Sequence, residues 1–290
     1  MRDETAQNQD AHVNDRSASQ PATHRVVVLL AAYKANGTVR EAAESILDNT
    51  LAVDLLVIDD CSPEPVADVL GDLLAAHPER MRLVRMAKNS SQAACFNFAL
   101  HEVLGRGYDY VAVMDADDVA LPGRFVAQVA FLDAHPDVGA VGTAMQTFDE
   151  VTLEPIYVHR HPSDDEAIRR AMFFNSAMVQ PSAMIRAEVF RLMGGYNPAI
   201  QAALDYEFWR RIQTRWKLAN LPEVLLRYRL SSGGQTMAGR RKQLSARLRV
   251  QLLYFVPGEW RAWAGVLLTL GLFVVPLRAL IAAKSLMWKS

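Results

Sequence analysis

Residues 110–118 have the sequence Tyr-Val-Ala-Val-Met-Asp-Ala-Asp-Asp, in which five apolar residues lead into three aspartates. An unbroken apolar run of this length is typical of a strand that is buried on both faces of a parallel sheet. In such sheets the ligand binds beyond the carboxyl ends of the strands. The stretch therefore predicts an α/β protein with Asp115, Asp117 and Asp118 at its ligand-binding edge.

Three strand-and-helix units precede this stretch. Strands are predicted at residues 26–30, 55–58 and 82–86, and the helices that follow them at 38–47, 66–76 and 91–104. This alternation predicts a mostly parallel sheet with right-handed crossovers and helices on its faces. Thr38 and Glu41 have the spacing of a capping box at the start of the first helix.

Polar residues follow every one of these strands. They are Tyr33 and Lys34, Asp59 and Asp60, Lys88 and Asn89, and the three aspartates from Asp115 to Asp118. Carboxylates two residues apart can bind a hard divalent cation, and that cation can hold a diphosphate. The same aspartates would also suit a helix N-cap or an acidic surface turn, so both interpretations stay open here.

Two further candidates each have a structural alternative. Asp60 could accept hydrogen bonds from a nucleobase or a ribose, although a turn would suit Asp equally well. Asp205 shares one helical face with Phe208, Trp209 and Ile212, three, four and seven residues further on. It is either the N-cap of that helix, worth about 1 kcal/mol, or a general base that faces a cleft.

The composition restricts the class of protein. Of the 290 residues, 51% are hydrophobic and 22% are charged, which excludes bulk disorder and fibrous structure. The 31 Lys and Arg residues against 32 Asp and Glu residues give a net charge of −1. This balance disfavours nucleic acid as a partner. The two cysteines, Cys61 and Cys95, favour a reducing compartment.

The C-terminal region combines basic and apolar residues. Five arginines and lysines lie among leucines at residues 238–255, and residues 262–277 carry no charge. That uncharged run is shorter than the roughly 20 residues of a membrane span. We expect this region to bind a membrane surface, with a hairpin packed on the main domain as the alternative.

Five motifs in this order resemble the family 2 glycosyltransferases of GT-A fold, over about residues 26–230. They are Ala-Ala-Tyr-Lys-Ala at 31–35, Val-Ile-Asp-Asp-Cys-Ser at 57–62, Lys-Asn-Ser-Ser-Gln-Ala-Ala-Cys-Phe-Asn at 88–97, Met-Asp-Ala-Asp-Asp at 114–118, and Leu-Asp-Tyr-Glu-Phe-Trp at 204–209. The resemblance implies an inverting transfer of one sugar, of the hexosyltransferase type, from a UDP- or dTDP-linked donor with Mg²⁺ or Mn²⁺.

The resemblance also implies roles for particular residues in the donor site. Tyr33 and Asp60 would hold the base, with Asp59 supporting their loop. Asn89 would contact the ribose or a phosphate.

The remaining implied roles concern the reaction itself. Asp115 would contact the ribose or the metal, Asp117 would bind the metal, and Asp205 would deprotonate the acceptor hydroxyl. The sequence departs from the family pattern at Phe96 and Gln180, where Arg and His are common.

The resemblance divides the chain into three regions. We expect a disordered tail at 1–24, a GT-A domain at 25–232 and a membrane-associating helical region at 233–290. The GT-A domain would comprise a nucleotide-binding half, 25–120, and an acceptor-binding half, 121–232. The acceptor would be a lipid-linked or surface-polysaccharide glycan, and the protein would act in the cytoplasm on the inner face of the membrane.

Two interpretations from other classes compete. Asp115 and Asp117 also fit the Asp-x-Asp-x-Val pattern of haloacid-dehalogenase-like phosphohydrolases, although that pattern belongs on the first strand of its fold. The departures from the family pattern would alternatively suit a non-catalytic scaffold that binds nucleotide sugars at a membrane.

Overall fold

The first half of the chain forms the parallel part of a central sheet. In the computed structural model, which describes residues 24–200, 202–230 and 239–275, the strands are β1 (Val26–Ala32), β2 (Asp54–Asp59), β3 (Met81–Arg85) and β4 (Tyr110–Asp115). They pair in parallel in the order β3-β2-β1-β4. The predicted alternation of strands and helices, with a parallel sheet, is confirmed.

Three helices connect these strands and cover both faces of the sheet. They are α1 (Val39–Leu47), α2 (Ala67–Ala76) and α3 (Gln92–Leu104). Val27 and Leu29 of β1 face one buried apolar cluster, and Val28 and Leu30 face the other. The unbroken apolar run is therefore explained by burial on both faces.

The second half of the chain makes the sheet mixed. Its strands are β5 (Val119–Ala120), β6 (Val138–Asp149), β7 (Pro155–His159), β8 (Met184–Arg186) and β9 (Lys217–Leu230), and its helices are α4 (Arg124–Ala134), α5 (Asp165–Ala171), α6 (Ala187–Met193) and α7 (Leu204–Ile212). The order continues β4-β8-β6-β9-β5, with β8 antiparallel to its neighbours and β6 parallel to β9. The strands β6 and β9 are the longest of the described part of the sheet.

The predicted capping box at the start of α1 is wrong. Thr38 is the N-cap residue, but its side chain caps no helix N–H group. Its hydroxyl donates instead to the carbonyls of Ala35 and Ala116, the latter at 2.9 Å. Thr38 therefore ties α1 to the acidic loop after β4.

Two C-terminal helices, α8 (Arg240–Leu253) and α9 (Trp260–Val274), pack against the domain. A Cβ atom on Gly265 would lie 1.9 Å from the carbonyl oxygen of Phe173, so only glycine allows this approach of α9. The side-chain amide of Gln251 donates to the carbonyls of Phe173 and Phe174. The hairpin alternative is therefore correct for the inner face of α9.

The outer face of α9 is apolar and exposed. Trp260, Trp263, Leu267, Leu270 and Val274 recur at helical spacing and are between 46% and 80% exposed. We call this set the apolar stripe. In the part of the chain that the structure describes, no helix has the length and apolarity to cross a membrane. Residues 1–23 of the predicted tail at 1–24, and the predicted apolar segment after 275, lie outside the described residues.

We expect Gly265→Ala to destabilise the protein, because the new methyl group collides with the main chain at Phe173. Overpacking of this kind costs about 1–3 kcal/mol. The matched control is Gly271→Ala in the same helix, where a Cβ atom meets nothing within 4 Å. That control should gain up to about 1 kcal/mol in helix propensity. Urea unfolding of both variants measures the difference, and equal free energies of unfolding would contradict the close packing of α9.

Candidate active site

The three aspartates after β4 form one acidic cluster at the carboxyl edge of the sheet. Carboxylate oxygens of Asp115, Asp117 and Asp118 all lie within 4.8 Å of one another. The N-cap interpretation is wrong for these residues, because the loop continues into β5 and the N-cap of α4 is Gly123.

Burial and mutual repulsion make it costly to ionise the cluster. The pKa of Asp115 rises to about 7, chiefly through burial and then through the charges of Asp117 and Asp205. The pKa of Asp118 is raised for the same first reason. Its Oδ1 accepts the main-chain N–H of Arg229 at 3.0 Å, whereas its buried Oδ2 has no hydrogen-bond partner.

The donor set of the cluster suits a divalent cation. Carboxylate oxygens are the ligands that Mg²⁺ and Mn²⁺ prefer. An orphaned buried oxygen on Asp118 and a raised pKa on Asp115 both indicate negative charge that the protein leaves uncompensated. Asp115, Asp117 and Asp118 therefore fit a metal of this class.

The loop after β2 uses its two aspartates differently. Asp59 is 1% exposed, and its oxygens accept from the main chain of Ser62 and Val66 and from Arg85 at 2.9 Å. These bonds occupy Asp59 within the protein, so it shapes the loop instead of offering an oxygen to a ligand.

Asp60 links this loop to the one after β3. Its carboxylate accepts the main-chain N–H of Ser90 at 2.8 Å and the side-chain amide of Asn89 at 2.9 Å. Asp60 is buried and Asn89 is exposed. The structure therefore brings Asp60 and Asn89 into contact at the same edge as the acidic cluster.

Tyr33 lies at the end of β1 with its ring 44% exposed. The ammonium of Lys34 lies 5.3 Å from the centre of that ring. Lys34 and Cys61 both adopt positive φ angles, 54° and 57°, which are unusual for residues other than glycine. The main-chain N–H of Lys34 donates to the hydroxyl of Ser62, so the two strained loops support each other.

Asp205 is the second residue of α7, and the N-cap of this helix is Ala203. The N-cap alternative for Asp205 is therefore wrong. Burial raises the pKa of Asp205, and main-chain N–H groups in the first turn of α7 oppose part of that rise. Asp205 also lines a cleft of about 290 Å³.

Tyr196 connects the two sets of carboxylates and was missed in the sequence. Burial raises the pKa of its hydroxyl, and the charges of Asp205 and Asp115 add to that rise. Asn97 holds this residue by accepting its N–H at 2.7 Å and donating to its carbonyl at 2.8 Å. Asn97 therefore has a structural role.

Two other contacts to the acidic cluster were also missed. The amide of Gln92 donates to Asp115 at 3.1 Å, and the guanidinium of Arg229 donates to the carbonyl of Asp117 at 2.8 Å. Gln92 is the first residue of α3 and lies just after the polar residues Lys88 and Asn89, which is the one sequence signal that could have identified it. Arg229 lies 112 residues from Asp117, and no local pattern indicates the contact.

The sequence of this chain matches a known family of enzymes. Residues 27–193 match the model of glycosyl transferase family 2. The chain belongs to this family. It is accordingly a glycosyltransferase, and the family match disfavours the phosphohydrolase interpretation of Asp115 and Asp117.

Curated relatives carry the same assignment. The putative glycosyltransferase EpsE of Bacillus subtilis is 29% identical over 212 residues, which cover 72% of this chain and 74% of EpsE. The amylovoran biosynthesis glycosyltransferase AmsE of Erwinia amylovora is 27% identical over 205 residues, covering 70% and 73%.

Solved structures show the same GT-A fold. TarS 1–349 of S. aureus, in complex with UDP-GlcNAc, superposes with a TM-score of 0.62 at 13% identity over 79% of this chain and 66% of that one. The mannosyltransferase PcManGT of Pyrobaculum calidifontis, in complex with GDP-Man and Mn²⁺, gives 0.63 at 17% identity over 92% and 81%.

We expect Asp115→Asn to stabilise the metal-free protein above neutral pH. The pKa of Asp115 is raised from 3.8 to about 7, so its ionised form lowers the free energy of unfolding as pH rises through this range. In EDTA, the melting temperature of the variant should exceed that of the wild type at pH 8, and by less at pH 5.

Asp149→Asn is the control of opposite sign. Main-chain N–H groups of Val151 and Thr152 lower the pKa of Asp149, so its charge stabilises the fold above its unfolded pKa. Its replacement should lower the melting temperature at pH 8. If the Asp115→Asn protein is no more stable than the wild type at pH 8, ionisation of the cluster does not destabilise the fold.

Proposed function

We propose that this enzyme transfers one sugar, with inversion, from a UDP- or dTDP-linked donor to the hydroxyl of a glycan acceptor. One observation carries the proposal. The acidic cluster at the sheet edge and the partly buried carboxylate of Asp205, which lines a cleft, lie close enough for the charge of Asp205 to raise the pKa of Asp115. A site for a diphosphate therefore adjoins a base.

The donor nucleotide would lie along the ends of β1 and β2. The exposed ring of Tyr33 offers a stacking surface for the base, and Asp60 would accept its N–H groups. Asn89, held by Asp60, would approach the ribose or a phosphate. Asp59 supports both by fixing the loop that carries Asp60.

Asp115, Asp117 and Asp118 would hold Mg²⁺ or Mn²⁺ beside the donor diphosphate, with Asp117 the principal ligand and Asp115 shared with the ribose. When bound, the cation supplies positive charge that stabilises the leaving diphosphate. Gln92 keeps Asp115 in place through its amide, and Arg229 fixes Asp118 through its main-chain N–H.

Asp205 would act as the general base. It takes the proton of the acceptor hydroxyl, whose oxygen forms the new bond to the anomeric carbon, and the bond from that carbon to the β-phosphate oxygen breaks on the opposite face. The electron pair leaves with the nucleoside diphosphate. Burial raises the pKa of Asp205 and so makes its carboxylate a stronger base than an exposed aspartate.

The C-terminal helices would hold the enzyme on the cytoplasmic face of a membrane. Tryptophan rings such as Trp260 and Trp263 favour the boundary between water and lipid. The exposed Arg241 and Lys242 on α8 would attract anionic headgroups. The two free cysteines are in keeping with the cytoplasm. AmsE is named for amylovoran biosynthesis, which supports a surface-polysaccharide or lipid-linked acceptor.

The donor site is tested by calorimetric titration of UDP with and without Mn²⁺. We expect Mn²⁺-dependent binding that Asp117→Ala abolishes, because the principal cation ligand is lost. Asp205→Asn should bind UDP within about twofold of the wild type, yet lose transfer from UDP-sugars to a membrane glycan extract by about 10²–10⁴-fold. Release of UDP measures the transfer.

The matched control is Asp68→Asn, which removes an exposed carboxylate from the same position of α2 that Asp205 occupies in α7. It should leave both binding and transfer unchanged. Release of inorganic phosphate in place of UDP would favour a phosphohydrolase. Metal-dependent binding without any turnover in these assays would favour the scaffold, and failure of UDP, dTDP and GDP to bind would refute the donor site.

Membrane association is tested by sedimentation with vesicles of phosphatidylcholine with and without phosphatidylglycerol. Trp263→Ser combined with Leu267→Ser should reduce the bound fraction at least about tenfold, since each buried apolar side chain contributes about 1.5–3 kcal/mol. The control combines Val151→Ser with Leu192→Ser, two exposed apolar residues outside the stripe. If the stripe substitutions instead dissociate a dimer and leave vesicle binding unchanged, the stripe is a protein interface.

A further inference from the structure

The cleft beside Asp205 has a second wall that contributes positive charge. Arg240 and Arg247 of α8 line it, together with the polar side chains of Asn175 and Gln243. The two arginines are seven residues apart, about two helical turns, so they lie on one face of α8. The family match ends at residue 193, so both arginines lie outside the matched part of the chain.

No carboxylate among the described residues pairs with either of these two guanidinium groups. Every hydrogen-bond partner they have in the described part of the chain is a neutral carbonyl: Phe174 at 2.7 Å for Arg247, and Leu272 and Val275 at 2.6 and 2.9 Å for Arg240. Burial lowers the pKa of Arg247, as expected of a cation without a counter-ion.

The same carbonyls orient the two side chains. Nε of Arg247 donates to the carbonyl of Phe174, and among the described residues its two terminal nitrogens have no other partner. One terminal nitrogen of Arg240 donates to the carbonyls of Leu272 and Val275 at the end of α9, and the other has no partner in the same part of the chain. Anchored guanidinium groups lose little conformational freedom when they bind an oxyanion.

Asp205 could still act as a base beside these two cations. The hydrogen bonds that both arginines form in the described residues go to main-chain carbonyls and not to Asp205. An ion pair with Arg240 or Arg247 would lower the basicity of Asp205. The cleft thus holds a base and two cations that do not cancel each other.

We propose that the acceptor carries a phosphoryl group, which Arg240 and Arg247 bind while Asp205 receives the acceptor hydroxyl. This proposal rests on the transfer reaction proposed above and names its acceptor class. Two guanidinium groups match the double negative charge of a phosphoryl or diphosphoryl group better than the single charge of a carboxylate. The group belongs either to a lipid-linked glycan, whose apolar part would lie near α8 and α9, or to a water-soluble phosphorylated sugar.

Calorimetric titration in EDTA tests this proposal with inorganic pyrophosphate, geranyl diphosphate, glucuronate and geraniol as probes. We expect both phosphoryl probes to bind the wild type, and the double variant of Arg240→Gln and Arg247→Gln to bind them at least about tenfold more weakly. Arg247→Lys should recover part of the affinity. Preference for geranyl diphosphate over pyrophosphate identifies a lipid-linked source, and equal affinity a soluble one.

The matched control substitutes Gln for Arg215 and Arg249, two exposed arginines that do not line the cleft. Its affinity for the phosphoryl probes should equal that of the wild type. Melting temperatures identify any variant that fails to fold, in which case the single Arg247→Lys protein decides. The proposal is refuted if no phosphoryl probe binds, if glucuronate binds instead, or if both double variants lose affinity equally.

Binding of UDP with Mn²⁺, measured on the same variants, separates this proposal from the donor site. It should be unchanged within about twofold in the arginine variants. If UDP still binds, and the phosphoryl probes bind equally well without the two arginines, only the proposed acceptor class is refuted. Absent UDP binding in the wild type refutes the transfer reaction, whatever the arginines bind.

Discussion

Like-charge repulsion in the acidic cluster is the constraint on which the rest of the site depends. Carboxylates within 4.8 Å of one another in a partly buried loop repel strongly, so the chain must hold them in place against that repulsion. Three distant segments do so. Thr38 at the start of α1 binds the loop main chain, Gln92 of α3 binds Asp115, and Arg229 of β9 binds Asp118. The sheet order places β4 next to β1, where these segments can reach the loop.

The charge of the cluster also links the two halves of the site. Asp205, ninety positions further along the chain, contributes to the raised pKa of Asp115, and both influence the buried hydroxyl of Tyr196. Protonation of Asp205 and protonation of the cluster therefore influence each other. A ligand that changes the charge on one side changes the basicity on the other.

The sequence predicted those parts of the molecule that depend on local patterns. The apolar run of β1 and the carboxylates after β4 are visible because burial on two faces and ligand binding at strand ends leave compositional marks. The hydrogen-bond partners of individual side chains were not predicted correctly. The hydroxyl of Thr38 prefers the carbonyl of Ala116 to the helix end, and α7 begins one residue before Asp205, so both capping predictions failed. Contacts such as that of Arg229, more than a hundred residues from the loop, depend on tertiary packing alone.

The carbonyls of Phe173 and Phe174 have a consequence for how such enzymes diversify. One contacts Gly265 of α9, and the other holds Arg247 of α8, so the outer wall of the cleft is attached to the domain through main-chain atoms. Main-chain carbonyls are present whatever the side chains are. A different pair of C-terminal helices could therefore dock at the same place and bring different cleft residues, while the nucleotide end of the protein stayed the same. The wall that we propose for the acceptor could thus change while the proposed donor site is retained.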